Sequence, residues 1–362
     1  MKDYKLKIAQ IAPLWHKIPP KEYGGTERVV SVLTEELVRR GHDVTLFATG
    51  DSETSAKLVS TYPKGLREAG IRNPAVVNDL ILQHAGAAYK MQNQFDVIHD
   101  HLGGSSLSIA NFIKTPVIVT LHGPVTPTKR KLYEMFDNPY YVSISKSQVK
   151  YFPNINLAGT VYNGLPMENY PFENKDKGYL LFVGRISKLK GVHYAIQVAE
   201  ALDLPLIIAA KLDTRDLYYF KRYIKPKLTD KIQWVGEVGE KERNELMASA
   251  LCLLNPITWK EPFGLTMIEA MACGSPVVAF NRGSIPEVIE NGKTGFIVRD
   301  VGEMISAVKR IKEIQREDCR EFSLNNFSAK VMADRYEEIY YSVFESKLSL
   351  KSVFFNRALG IN

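Results

Sequence analysis

Long apolar runs are missing from this chain. No window approaches the roughly 18 consecutive apolar residues that a membrane span needs. The opening MKDYKLKIAQIAP has an apolar run too short for a signal peptide and no small-residue cleavage site, so a cytoplasmic protein is expected. Cysteine is scarce. Cys252, Cys273 and Cys319 are odd in number and lack metal or redox spacing, which argues against a disulfide framework and for reduced thiols. The G-x-G-x-x-G fingerprint is absent, against a nicotinamide or flavin protein. A Walker loop is absent too. Gly292-Lys293-Thr294 imitates its end, but Glu287 stands where the first glycine must be, and a turn before a strand at Phe296 fits better. No repeat of about 20–50 residues, no low-complexity tract and no nucleic-acid module is visible.

What is present is ordinary in bulk. The 362 residues suit two or three compact domains. Apolar residues make up 45% and charged residues 24%, as in a soluble globular protein able to bury a sizeable core. The net charge of +7 permits a polyanionic partner or an anionic membrane surface without requiring either. Lys and Arg cluster with aromatics in KLDTRDLYYFKRYIKPKLTDK, residues 211–231. That pattern reads first as a solvated helix face with its aromatics packed inward. Peripheral contact with the inner face of a membrane is the alternative.

The chain alternates strand and helix signals. KIAQIA at 7–12 is a strand, a loop follows, and Thr26 opens a helix with Val29, Val30, Leu33, Leu37 and Val38 at helical spacing. Gly41 stops it, and VTLFA at 44–48 is the next strand. Further buried strands are expected at 96–99 and 116–121, then at 180–183, 206–210, 232–235, 251–254 and 277–280. Between the two series, NGLPMENYPFENKDKG breaks both periodicities. The expected architecture is α/β, with two Rossmann-like doubly wound domains facing a cleft. The first covers residues 1–164, a linker 165–178, the second domain 179–326, and a last helix 327–347.

Two places suit phosphate. Gly24 and Gly25 stand at the mouth of a helix in YGGTE, where glycine lets backbone approach an anion closely. An ordinary turn with Thr26 as N-cap explains the same residues. In FVGR a strand ends and delivers Arg185 to the sheet's C-terminal edge, with Lys190 five residues later. Two cations there suit a diphosphate, as they would suit a solvated turn.

The most informative stretch is EPFGLTMIEAMACGSPVVAF, residues 261–280. Pro262 disfavours helix at Glu261, whereas Glu269 lies in a helix-forming run that Gly274 ends. Even on one continuous helix the two acids would stand about 80° apart in azimuth and about 12 Å apart along the axis. They cannot share one proton. The helix start at Gly264, Leu265 and Thr266 lies between them and suits an anion. Polyol, phosphate, polyol is the order of groups in a nucleotide-sugar. A loop Glu followed by a surface Glu is the plainer alternative.

This stretch, with GSIPEVIENGKTGFIV after it, resembles the donor-site signature of retaining glycosyltransferases of family four, which have the GT-B fold. The resemblance covers nearly the whole chain, in order: YGGTERVV, DVIHDH, TLHG, SISKSQ, YNG, FVGRISKLKG, the two-glutamate stretch and the FS-led last helix. It implies that Glu261 holds hydroxyls of the donor sugar and Glu269 those of the ribose. Arg185 and Lys190 would neutralise the diphosphate, helped by amides near Gly264, Leu265 and Thr266. Gly25 would approach the phosphate, His122 would sit near the reacting sugar, and Val235 with its neighbours would line the base pocket. The last helix would cross back to the first domain.

The resemblance further implies a hexose donor with a UDP, GDP or other base, a hydroxyl acceptor, work in polysaccharide or glycoconjugate synthesis, and no metal or other cofactor. Fixed cations and amides can stabilise the leaving group in its place. His122 is alternatively a general base. His99-Asp100-His101 reads as a loop lining the acceptor cleft rather than a metal site. One departure stands out: the family often shows Asp after Asn-Gly-hydrophobe, and here Pro166 follows Asn163-Gly164-Leu165, so that Asp's role does not carry over. A nucleotide-sugar 2-epimerase needs acid–base groups around the sugar's C2, and a non-catalytic binding protein has no need of both cations and both acids. These are the competing readings.

Overall fold

The computed structural model describes residues 4–21, 24–150 and 154–358. Tyr23 of the YGGTE motif lies outside them. The chain divides into two compact units. The first comprises Met1–Ile144, Gln148–Gly164 and Ala329–Asn362, and the second Ser145–Ser147 and Leu165–Ser328. Residues 165–178, expected as a linker, therefore count with the second unit.

The first unit is built on a seven-stranded parallel sheet in the order β3-β2-β1-β4-β5-β6-β7. Its strands are β1 (Lys7–Ile11), β2 (Asp43–Ala48), β3 (Lys57–Ser60), β4 (Val97–Asp100), β5 (Val117–Leu121), β6 (Tyr140–Ser143) and β7 (Leu157–Thr160). The central strands β4 and β5 are buried at every residue. That is the reason for their unbroken apolar sequence: helices cover both faces of the sheet. Three strands escaped the sequence reading. β3 and β7 are half-exposed edge strands, and β6 (YYVS) carries two tyrosines and a serine around a single aliphatic residue, so none shows a long apolar run.

The second unit has a six-stranded parallel sheet in the order β10-β9-β8-β11-β12-β13. It consists of β8 (Leu180–Arg185), β9 (Leu206–Lys211), β10 (Ile232–Gly236), β11 (Cys252–Asn255), β12 (Val277–Phe280) and β13 (Gly295–Val298). In both sheets the strand order reverses beside the first strand, at β1/β4 and at β8/β11. Doubly wound sheets place ligands outside the strands' C-terminal ends at such a switch point. The expected α/β, doubly wound architecture is present in both units. Cys252, Cys273 and Cys319 are free and buried, and burial pushes the Cys273 and Cys319 thiols up to about 12. They stay protonated and inert at neutral pH.

The last helix, Ala329–Ala358, belongs to the first unit. Arg40 Nη1 holds it through Asp334 (2.7 Å) and Glu337 (2.5 Å), and His42 Nε2 meets Glu337 at 2.7 Å. Tyr336 and Tyr340 are buried on its inner face.

The segment 211–231 is not one regular helix. Short helical turns, Thr214–Asp216 and Leu217–Tyr219, lead into a π-helical turn, Phe220–Ile224. Its aromatics divide. Tyr219 and Phe220 pack inward, whereas Tyr218 and Tyr223 are 75% and 52% exposed. The expectation that the aromatics face inward holds for half of them.

Candidate functional site

In the second unit, β8 delivers Arg185 at its C-terminal end. Arg185 Nη1 donates to Asp213 Oδ2 at 3.3 Å. A tight turn, Lys188–Lys190, follows, and the Ser187 hydroxyl accepts from the Lys190 N–H at 3.3 Å. Gly191 then adopts φ +75°, open to glycine at little cost. A Cβ there would overlap the Pro256 carbonyl oxygen. Gly191→Ala is therefore expected to destabilise the fold by about 1–2 kcal/mol or more from backbone strain alone. It should also displace Lys190, and a urea titration beside a turnover assay checks both effects.

The loop after β11 carries Trp259 and Glu261. It is pinned to the Lys190 turn by the Thr258 N–H, which donates to the Leu189 carbonyl at 2.9 Å. Lys190 Nζ reaches Glu261 Oε2 at 2.7 Å and lies 5.3 Å from the centre of the Trp259 ring. Trp259 Nε1 is buried without a hydrogen-bond partner among the described residues. The Ser284 N–H and hydroxyl hold the Glu261 and Phe263 carbonyls at 3.0 and 2.8 Å. The β8/β11 switch point thus gathers a cation and an acid that are 71 residues apart in sequence.

Helix Leu265–Ala272 starts behind Gly264, whose φ is +94° and which offers no side-chain cap. The first N–H groups of such a helix lack intrahelical partners, and with the helix dipole they favour an anion near Leu265 and Thr266. Glu261 lies in the loop and Glu269 in this helix, as Pro262 foretold. Glu269 is 1% exposed, and Arg243 Nη2, from helix Glu240–Ser249, donates to its Oε1 at 2.8 Å. A surface Glu269 is thereby ruled out. Val235, on the edge strand β10, is 43% exposed. Its neighbour Trp234 is tied down, its Nε1 donating to the Ala210 carbonyl at 2.8 Å.

In the first unit, Gly25 is the first residue of helix Gly25–Arg39, and Gly24 rather than Thr26 takes the cap position. Glu27 in the first turn is buried, and burial raises its pKa. Its buried carboxyl was missed in the sequence and competes with any anion for the same helix start.

The DVIHDH segment corrects the reading of a loop. His99 lies in β4, as the expected strand at 96–99 has it, and β4 runs one residue further to Asp100, so both are fully buried strand residues rather than loop. Asp100 accepts from the Tyr89 hydroxyl at 2.5 Å and from the Leu102 N–H at 2.6 Å, which fixes the turn after β4. His101 follows, and its Nδ1 lies 2.8 Å from Nε2 of His122, the residue just after β5. From there hydrogen bonds run inward. His101 Nε2 meets Gln10 Oε1 at 2.7 Å, and Gln10 Nε2 donates to the Tyr340 hydroxyl at 3.1 Å. That hydroxyl meets His99 Nδ1 at 2.6 Å, His99 Nε2 meets Thr120 Oγ1 at 2.7 Å, and Thr120 meets the Tyr336 hydroxyl at 2.9 Å.

Burial pushes His122 down to about 4, and His99 and His101 well below the ordinary histidine range. All three are neutral at pH 7. His84 is likewise lowered to about 4 by burial. The sign of the linkage follows. Between pH 6.5 and about 4 the unfolded chain binds protons that the folded chain refuses, so stability falls as pH drops through that window. His84 and His122 each contribute at most about 3 kcal/mol of this loss. Urea midpoints at pH 7 and pH 4.5 check it, and His84→Gln should flatten the slope.

Among the described residues, no group of three His, Cys, Asp or Glu side chains could hold a metal ion, and no helix is long and apolar enough to cross a membrane.

Comparison with known proteins agrees with this geometry. Residues 168–328 match the family described as "Glycosyl transferases group 1", and residues 23–154 match "Glycosyltransferase Family 4". The spore coat protein SA of Bacillus subtilis is 30% identical, over 94% of this chain and 99% of its own. N-acetyl-alpha-D-glucosaminyl L-malate synthase of Bacillus anthracis is 25% identical, over 88% and 94% respectively. The Anabaena protein HepE, solved in complex with UDP-glucose, superimposes with a TM-score of 0.70 at 18% identity, covering 93% of this chain and all of the other. With two doubly wound units, an acid and a cation joined at the second unit's switch point, and matches along both units, the chain belongs to the family-four glycosyltransferases and has the GT-B fold.

Proposed function

We propose that this glycosyltransferase is a retaining hexosyltransferase. It takes its sugar from a nucleoside-diphosphate donor and passes it to a hydroxyl acceptor in glycan or glycoconjugate synthesis. The observation that carries this reading is the Lys190–Glu261 pair in the loops after β8 and β11, with Arg185 ending β8. A diphosphate leaving group gains charge as the glycosidic bond breaks, and fixed cations act where that charge develops. Arg185, Lys190 and the amides of Gly264, Leu265 and Thr266 take the diphosphate. Glu261 accepts from sugar hydroxyls, and Glu269 from the ribose. The partly exposed Val235 strand lines the base, and Gly25 leaves room for phosphate. The departing phosphate takes the acceptor proton, and neutral His122 accepts a hydrogen bond from a substrate hydroxyl. The UDP-glucose held by HepE is a donor of this class.

The cations supply the charge stabilisation that other transferases draw from a metal, so no cofactor is required. The expected result is transfer from one of UDP-glucose, GDP-mannose or ADP-glucose, unchanged in EDTA, with the donor's anomeric configuration kept in the product by NMR. An inverted product ends the retaining reading, and inhibition by EDTA ends the metal-free one. The proposal extends to a cytoplasmic enzyme working at the membrane's inner face. Tyr218 and Tyr223, exposed among Lys221, Arg222 and Lys225, suit an anionic lipid surface. Cosedimentation with phosphatidylglycerol vesicles, lost in Tyr218→Ser/Tyr223→Ser, tests that part.

A further inference from the structure

The polar chain behind His122 has a direction, and one residue sets it. Imidazoles and hydroxyls can reverse their hydrogen bonds by moving a proton from one side to the other. A carboxamide cannot: its oxygen only accepts and its nitrogen only donates. Gln10, 0% exposed at the heart of the first unit's sheet, is the one carboxamide in the chain of contacts. Its Oε1 faces His101 Nε2 at 2.7 Å and its Nε2 faces the Tyr340 hydroxyl at 3.1 Å. The shorter distance suits an N–H donating to a carbonyl oxygen.

From that placement every other proton follows. His101 carries its proton on Nε2 and donates it to Gln10. A neutral imidazole has only one N–H, so His101 Nδ1 must accept, and His122 must donate from Nε2 at 2.8 Å. His122 Nδ1 then keeps its lone pair. On the other side, Gln10 donates to Tyr340, Tyr340 donates to His99 Nδ1, and His99 Nε2 donates to Thr120. Each of these groups uses one proton once. The downward pKa shifts agree, since the scheme requires all three rings neutral. Two cationic rings would also repel strongly with the centroids of His99 and His101 only 3.9 Å apart.

We propose that Gln10 is a positioning residue that, through His101, holds His122 in its Nε2–H tautomer and leaves Nδ1 as a hydrogen-bond acceptor for a substrate hydroxyl. The last clause rests on the function proposed above, whereas the tautomer does not. Tyr340 ties the same network to the last helix.

The test is the tautomer itself. Long-range 1H–15N correlation spectra of the full chain, labelled with 15N-histidine, report which nitrogen of His122 carries the proton at pH 7.5. The expected result is Nε2–H in the native chain. Nδ1–H overturns the proposal without any variant being made. In Gln10→Leu the carboxamide is gone, and His122 should become a mixture of tautomers. Gln10→Glu keeps an acceptor towards His101 and should restore Nε2–H. A tautomer that does not change in Gln10→Leu overturns the role of Gln10. On the donor that the native enzyme turns over, Gln10→Leu should lower kcat by about 10²-fold at nearly unchanged donor KM, as a misplaced group does. A shifted tautomer with unchanged kcat overturns the positioning role and removes His122 from the proposed reaction, while the proton assignment stands.

Discussion

Replacing Lys190 with alanine is expected to lower kcat by about 10²–10³-fold, the loss seen when one fixed donor to a developing charge is removed. Stability should barely change. The Lys190 and Glu261 side chains are 24% and 12% exposed, and a partly solvated ion pair of this kind is worth about 1 kcal/mol or less. The same side chain therefore matters little to the fold and much to turnover. The division between kinetic constants identifies the step. If Lys190 meets charge only as the diphosphate departs, kcat falls and the donor KM stays. If it merely holds the donor, KM rises and kcat stays. Lys190→Arg should recover part of the rate, because the charge is kept while its position moves. Turnover equal to that of the native chain removes Lys190 from the mechanism. A matching drop in the urea midpoint would instead assign it to the fold.

Arg316→Leu is expected to cost about 3–5 kcal/mol, because a buried carbonyl left without its donor costs about 1–3 kcal/mol and three lose one here. Arg316 is 8% exposed in helix Arg316–Phe327. Its guanidinium donates to the carbonyls of Glu173 at 2.7 Å, Ala250 at 2.8 Å and Ala248 at 2.5 Å. Those carbonyls belong to the segment 165–178 and to the chain around the start of β11. One side chain thus ties together three stretches distant in sequence. Burial lowers the pKa of Arg316, which shows that desolvation opposes the charge and that the carbonyl bonds must offset it. Leucine fills much of the volume but leaves the carbonyls without that donor. The melting temperature should fall by about 6–20 °C, given roughly 2–4 °C per kcal/mol for a unit of this size. A shift under 2 °C would mean that water replaces the guanidinium without loss.

Burial separates the strands that show in the sequence from those that do not. Strands β1, β2, β4, β5, β8, β9, β10, β11 and β12 were legible because burial on both faces forces local apolar runs. β3 and β7 were not, because an edge strand is half-exposed and carries no continuous apolar run. The separation of Glu261 from Glu269 was legible too, since Pro262 acts on its immediate neighbour. The partners of both acids were not. Lys190 is 71 residues from Glu261 and Arg243 is 26 from Glu269, and no local pattern announces either pair.

His99 shows the limit most directly. The expected strand at 96–99 already reached it, but its partners were not legible: Thr120 and Tyr340, from a neighbouring strand and the last helix, supply the hydrogen bonds that make a buried polar residue tolerable there. Chain-local physics, in the form of apolar periodicity, glycine and proline, determined the two doubly wound units and the order of the site segments along the chain. Tertiary structure alone decided which charges meet and which way the buried protons point. A buried polar group is stable only with a partner, and that partner is chosen by the fold rather than by neighbours in sequence.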